Sequence, residues 1–312
     1  MSCLQTPAPF SLFTLFLLLS LFSPPALAQQ EQQQTADDVT LIDTTLVVLN
    51  VTVTDAKSKY VAGLREKDFS IFEDRASQKI VSFSFEETPF AAVILLDTSA
   101  SMSSRMSMAR AACSYFVSGI REGDNVAIYS FGGTKVKKLQ DFSEVRDVDP
   151  LIWEVNADGM TPLYDGICEA VDALAKRPER RRAILIVSDG ADTTSRHTLE
   201  DALKRSLAGQ ITVYAVDLSE AAIYRTQARD NGSEVLRSLA AKTGGRLFPT
   251  PGGSKLREAF EQTVEELRNQ YTIAYEPTND KRDGRWRAID VRTGAGYNIR
   301  TRQGYYASKA KK

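Results

Sequence analysis

Ala91-Ala92-Val93-Ile94-Leu95-Leu96-Asp97-Thr98-Ser99-Ala100-Ser101-Met102 is the stretch on which the fold turns. Its uninterrupted apolar run suits a strand covered on both faces, as in a parallel sheet. The run stops at a carboxylate followed by hydroxyls. Three similar runs follow, at Val126–Tyr129, Ala183–Val187 and Ile211–Val216, and the stretches between them carry helical patterns at Met106–Ile120, Leu163–Ala175 and Leu199–Ala208. Strands alternating with helices predict an α/β fold, a doubly wound and mostly parallel sheet with right-handed crossovers. Such sheets bind ligands at the carboxyl ends of their strands.

Outward from this centre the periodicity changes. Towards the N-terminus, Leu46–Val53, Phe69–Phe72 and Ile80–Phe85 read as strands, with a turn at Lys57-Ser58-Lys59. Towards the C-terminus, Ser233–Thr243 reads as a helix closed by Gly244-Gly245, Leu247-Phe248 as a short edge strand, and Ser254–Asn269 as a last helix with Ser254 as its N-cap. Tyr271–Tyr275, Trp286–Val291 and Tyr297–Gly304 return to a β pattern. The two flanks are expected to pair into one small accessory β unit. The expected division is a signal peptide at 1–28, a flexible leader at 29–40, an N-terminal β-rich unit at 41–88, the α/β domain at 89–270, C-terminal strands at 271–308 and a basic tail at 309–312.

Composition excludes several classes of function. The chain has 312 residues, 39 Lys+Arg against 40 Asp+Glu, one His and three Cys. Near-neutral charge supplies no basic field for nucleic acid. A single histidine cannot build a multi-histidine zinc site, and a Ser-His-Asp hydrolase would have to use His197 itself. The uncharged run Phe10–Phe22, then Ser23-Pro24-Pro25 and Ala26-Leu27-Ala28, has the order of a secretory signal cut after Ala28. No Lys or Arg precedes Lys57, which departs from the usual positive n-region and keeps an uncleaved anchor as the alternative. A secreted or periplasmic protein with no membrane span after cleavage is expected. Cys113 and Cys168 each fall in a helical stretch and read as buried free thiols ahead of a disulfide.

The chemistry lies in three segments. Asp97, Ser99 and Ser101 place three oxygens at alternating positions just past a strand, and oxygen-only donors suit Mg²⁺, Mn²⁺ or Ca²⁺. Gly159-Met160-Thr161-Pro162-Leu163 puts a hydroxyl before a helix, and Val187-Ser188-Asp189-Gly190 puts a carboxylate at another strand end. A doubly wound sheet brings all three to one rim. Each has a plainer reading: Asp97 as a helix cap, Ser99 and Ser101 as turn residues, Thr161-Pro162 as an N-cap with proline at N1, and Asp189-Gly190 as a turn.

In this order and context, DTSAS (97–101), GMTPL (159–163) and VSDG (187–190) resemble the metal-ion-dependent adhesion site of von Willebrand factor type A domains. The resemblance spans about residues 90–269. The flanks, with VTVTD (51–55), DFSIFED (68–74), QYTIAYEPTN (270–279) and RQGYYA (302–307), resemble secreted von Willebrand A-related proteins of Acidobacteria. The resemblance implies a Rossmann-like fold and a site for Mg²⁺, with Mn²⁺ or Ca²⁺ as alternatives. It implies direct ligation by Ser99 and Ser101, ligation by Thr161 directly or through water, and water-bridged contacts from Asp97 and Asp189. A cation not bound directly by either carboxylate stays electrophilic, so the implied function is to accept an Asp or Glu side chain of a protein partner, without catalysis. Two alternatives remain: a scaffold that binds through its β flanks around a structural metal, and a metal-dependent hydrolase, against which stands the lack of an evident general base.

Nearby residues have lesser roles. Asp165 suits the first turn of a helix, where a negative charge favours the dipole, a reading placed ahead of a metal role. Asp192 is read as a partner contact or a solvated loop residue, and His197 as an exposed loop residue. Met102, Met106 and Met108 are read as core packing or a soft apolar surface. Asn50-Val51-Thr52 and Asn231-Gly232-Ser233 match the glycosylation acceptor pattern.

Overall fold

β5 (Phe90–Asp97) lies at the centre of a six-stranded sheet, and all eight of its residues are buried. The computed structural model describes residues 46–219, 227–249, 254–294 and 296–308, all within the unit Thr44–Lys312. The expected signal peptide, leader and basic tail lie outside the described residues. The sheet runs β10 (Leu247–Pro249), β9 (Ile211–Asp217), β8 (Arg181–Ser188), β5, β6 (Asn125–Gly132), β7 (Lys135–Ser143). All neighbours are parallel except β6 and β7. Leu95 sits opposite Tyr129 on one side and Ile186 on the other.

Alternation along β5 divides the core. Ala92, Ile94 and Leu96 join the cluster packed under α1 (Met106–Gly119) and α6 (Ser254–Arg268). Ala91, Val93 and Leu95 face α3 (Leu163–Leu174), α4 (Leu199–Ala208) and α5 (Gln227–Thr243). Cys113 lies in the first cluster and Cys168 in the second, both free, with the sheet between them. Met102 and Met106 are core residues and Met108 packs against them, so little of the expected apolar surface remains.

Two elements carry no clear sequence signal. β7 is an edge strand whose Lys135, Lys137 and Lys138 interrupt any apolar pattern, a common protection of sheet edges. α2 (Leu151–Glu154) is a single turn. The helix expected from Ser233 begins at Gln227, and the strand expected over Tyr297–Gly304 is two short ones.

The flanks do pair. One four-stranded sheet has the order β13 (Asn298–Arg300), β1 (Val47–Thr54), β11 (Tyr271–Tyr275), β4 (Ile80–Ser84). The other runs β14 (Gly304–Tyr306), β12 (Trp286–Thr293), β2 (Phe69–Glu73), β3 (Ala76–Gln78). Each sheet mixes N- and C-terminal strands, and both line one core containing Leu49, Val51, Ile71, Tyr271, Ile273 and Val291. Phe69 of one sheet meets Tyr271 of the other with ring centroids 5.2 Å apart. Buried Glu266 of α6 ties this unit to the central sheet, accepting from Tyr214 Oη of β9 at 2.9 Å and Thr52 Oγ1 of β1 at 3.3 Å, and pairing with Arg300. That contact buries Thr52 and takes the Asn50-Val51-Thr52 pattern into packed structure.

Candidate metal centre

β5 and β8 are hydrogen-bonded neighbours that end together, which sets Asp97 beside Ser188 and Asp189. Asp97 is fully buried. Its Oδ1 accepts from the Ser99 amide at 2.8 Å and its Oδ2 from Ser188 Oγ at 2.5 Å. Burial pushes its carboxyl up to about 6; these donors oppose the rise and the charge of Asp189 adds to it. Ser99 Oγ and Ser101 Oγ lie 3.0 Å apart.

The Thr161 segment is stitched to the same rim. The Asp158 amide donates to Thr98 O at 2.9 Å and the Ala100 amide to Gly159 O at 3.1 Å. Thr193 holds Thr161 twice: Thr193 N donates to Thr161 O at 2.9 Å, and Thr161 N donates to Thr193 Oγ1 at 2.8 Å. Gly132 makes the close approach possible, since a Cβ there would sit 2.4 Å from Thr98 Oγ1. At the other end, Gly190 has φ +80°, and its hypothetical Cβ would lie 2.2 Å from Gly232 O. Gly232 thus seats α5 against the turn bearing Asp189, a packing role in the segment read as a glycosylation pattern.

The remaining polar residues are structural. Asp165 accepts from the Arg196 amide at 3.1 Å and the His197 amide at 3.0 Å, and meets His197 Nδ1 at 2.7 Å. Burial raises its carboxyl, but these bonds outweigh burial and hold it below its ordinary value. Asp192 Oδ1 accepts from Tyr164 N at 3.2 Å and Ser195 Oγ at 2.5 Å, which caps α3. His197 is therefore an anchored loop residue and Asp192 a cap. Sequence reasoning missed Ser188, Thr193, Gly232 and Arg105, whose guanidinium lies 3.7 Å from Asp189 Oδ2. Only Ser188 carried a signal, by its place in VSDG.

Two carboxylates and three hydroxyls form a hard oxygen set. Among the described residues no group of three or more His, Cys, Asp or Glu converges, so any cation here must accept neutral hydroxyls. The Ser99–Ser101 spacing suits it: adjacent oxygens about 2.0–2.1 Å from an octahedral Mg²⁺ stand roughly 2.9 Å apart. A cleft of about 500 Å³ opens beside the rim, lined in part by Thr98, Gly132, Lys135, Lys137, Leu151 and Asp158. Leu151, Trp153 and Met160 are exposed on the segment that leads into Thr161.

Residues 92–191, which hold all of these donors, match the family model for the von Willebrand factor type A domain. This segment is a von Willebrand factor type A domain. No curated protein matches the chain. Solved structures similar to it include a von Willebrand factor type A protein from Catenulispora acidiphila, at 12% identity and TM-score 0.47, covering 84% of this chain and 74% of that one. Three N-terminal domains of the type V pili tip protein Mfa5 from Porphyromonas gingivalis align at 10% identity and TM-score 0.47, covering 84% and 68%. The PilB minor pilin from Streptococcus sanguinis aligns at 15% identity and TM-score 0.46 over 59% of this chain, which spans 62% of the pilin. Among the described residues no helix of the von Willebrand A domain or its flanks is long and apolar enough to cross a membrane.

Proposed function

We propose that this chain is a secreted or envelope-associated binding module whose von Willebrand A domain presents a divalent cation, Mg²⁺ with Mn²⁺ or Ca²⁺ as substitutes, to an acidic side chain of a protein partner. The observation that carries this reading is the buried Asp97 carboxylate held at a strand end beside the Ser99 and Ser101 hydroxyls. Bound there, the cation would supply an electrophilic coordination position.

This chain's residues do the rest. Ser99, Ser101 and Thr161 offer hydroxyl oxygens. Asp97 and Asp189 supply negative charge from behind, and Ser188 and the Ser99 amide hold Asp97 in one orientation. Exposed Leu151, Trp153 and Met160 add apolar surface on the side from which a partner approaches. The site accepts a ligand and turns nothing over.

Isothermal titration with Mg²⁺, Mn²⁺ and Ca²⁺ tests the reading, with Asp97→Ala as the control. Uptake of one equivalent by the wild type, absent from folded Asp97→Ala, supports it. A partner captured equally well with and without excess EDTA overturns it.

A further inference from the structure

A second cleft lies at the end of the six-stranded sheet opposite the rim that carries Asp97. Gln210, which lines it, immediately precedes β9, so the cleft sits where the parallel strands begin. Its volume is about 440 Å³, within the range of small-molecule sites, and its walls come from α4 and the flanking strands. Leu46 and Leu207 supply apolar wall, Tyr305 and Tyr306 aromatic wall, and Lys204 and Arg302 positive charge. No Asp or Glu is among the described residues that line it.

Among the described residues Arg302 has no carboxylate partner. Its Nη1 donates to Leu207 O at 3.3 Å and its Nη2 to Val48 O at 2.8 Å, while its Nε is buried without a hydrogen-bond partner. Carbonyls supply dipoles and no countercharge. Burial holds the guanidinium below its ordinary value, and the groups that act on it by charge are the phenols of Tyr275 and Tyr305. Glu73, a buried carboxylate of the same β unit, is taken by those two tyrosine hydroxyls, at 2.7 Å and 3.0 Å. Lys204 does pair with Glu200, at 2.5 Å, and feels Asp201, but both acids stand on its own helix outside the lining of the cleft. Its Nζ lies 5.0 Å from the centre of the Tyr306 ring.

We propose that this cleft binds an organic monocarboxylate with an aromatic or branched apolar body, its carboxylate facing Arg302 and Lys204 and its body lying against Tyr305, Tyr306 and Leu207. The incoming anion supplies the countercharge that Arg302 lacks, and a charge-assisted contact sheltered from water is stronger than one at the surface. A neutral ligand of the same shape gains nothing there. A carboxylate without an apolar body forfeits the burial against the tyrosines and leucines. No part of this depends on a cation at the opposite end of the sheet.

The test titrates phenylacetate, phenylacetamide and acetate onto the full chain by saturation-transfer NMR, in EDTA so that no carboxylate is held by a cation at the rim. Phenylacetate is expected to bind at least about tenfold tighter than either of the others, one lacking the charge and the other the ring. Arg302→Gln should weaken phenylacetate at least about tenfold through the lost charged donor. Lys204→Gln should weaken it about threefold, a smaller effect because this lysine is half exposed and shares Glu200. Circular dichroism confirms that each variant is folded. Should Arg302→Gln fail to fold, Lys204→Gln decides the matter, since its side chain is at the surface. Three results each overturn the proposal: no phenylacetate bound by the wild type up to about 20 mM, well above the low-millimolar Kd expected of so small a ligand; phenylacetamide bound as tightly as phenylacetate; or wild-type affinity for phenylacetate in folded Lys204→Gln.

Discussion

Ser188 Oγ donates to Asp97 Oδ2 at 2.5 Å, bridging the ends of two adjacent parallel strands at the rim of the sheet. The same hydroxyl accepts from the Gly190 amide at 2.9 Å, so one side chain links the Asp97 carboxylate to the turn that carries Asp189. Ser188→Ala leaves a buried carboxylate oxygen without this donor. It is expected to destabilise the cation-free protein by about 1–3 kcal/mol and to lower cation affinity. Urea unfolding in EDTA and calorimetry measure the two effects separately.

Asp97 predicts a dependence on pH. Burial raises its folded value from 3.8 to about 6, so the native state holds this proton more tightly than the unfolded chain does. The cost of the buried charge is complete above pH 6 and is relieved as the pH falls towards 4. For this group alone, cation-free protein should gain up to roughly 2 kcal/mol over that interval. Asp97→Asn should lack the gain, as unfolding at pH 7 and pH 5 in EDTA will show. Cation affinity should fall over the same interval, because the proton and the cation compete for one carboxylate.

Gly190 and Gly232 leave no room for a side chain. A Cβ on Gly190 would sit 2.2 Å from Gly232 O, at φ +80°, and one on Gly232 would sit 2.6 Å from Asp189 O. Either change to Ala is expected to cost more than about 1 kcal/mol, through steric overlap with backbone and, at Gly190, a strained φ. Because the turn bearing Asp189 must shift, cation uptake should weaken in both variants. Uptake at wild-type strength in folded Gly232→Ala would contradict the packing argument.

Thr193→Val removes the hydroxyl that accepts from the Thr161 amide at 2.8 Å and keeps the backbone bond to Thr161 O. Cation affinity is expected to drop severalfold, with a stability loss of about 1 kcal/mol. Thr193→Ser should restore the affinity, because it restores the acceptor.

Cys113 and Cys168 lie on opposite faces of the six-stranded sheet, and burial pushes their thiols up to about 12 and about 11 respectively. Neither should react with a thiol reagent at pH 8 until the protein is unfolded, when both should react. Reductant should leave the thermal midpoint unchanged.

Much of this was legible in order along the chain. β5, β8 and β9 are covered on both faces and so appear as unbroken apolar runs, while α3 and α4 show the period of helices with one buried side. The three donor segments could be found because each follows or precedes such an element. β7 could not, since its lysines face solvent at the sheet edge and mask its alternation. Asp192 sat close enough in sequence to pass for a rim residue, and only its bonds to Tyr164 and Ser195 show it holding the loop.

By itself the amino-acid sequence determined the layered α/β architecture and the strand ends on which the oxygens stand, because burial periodicity and local turn chemistry are written in neighbouring residues. Only the tertiary structure decided that Ser188 orients Asp97, that Thr193 clamps Thr161, that Gly232 seats the Asp189 turn, and that a guanidinium shares the rim. Those contacts join positions far apart along the chain, and an electrostatic or steric term depends on distances of a few ångströms that no spacing in sequence encodes.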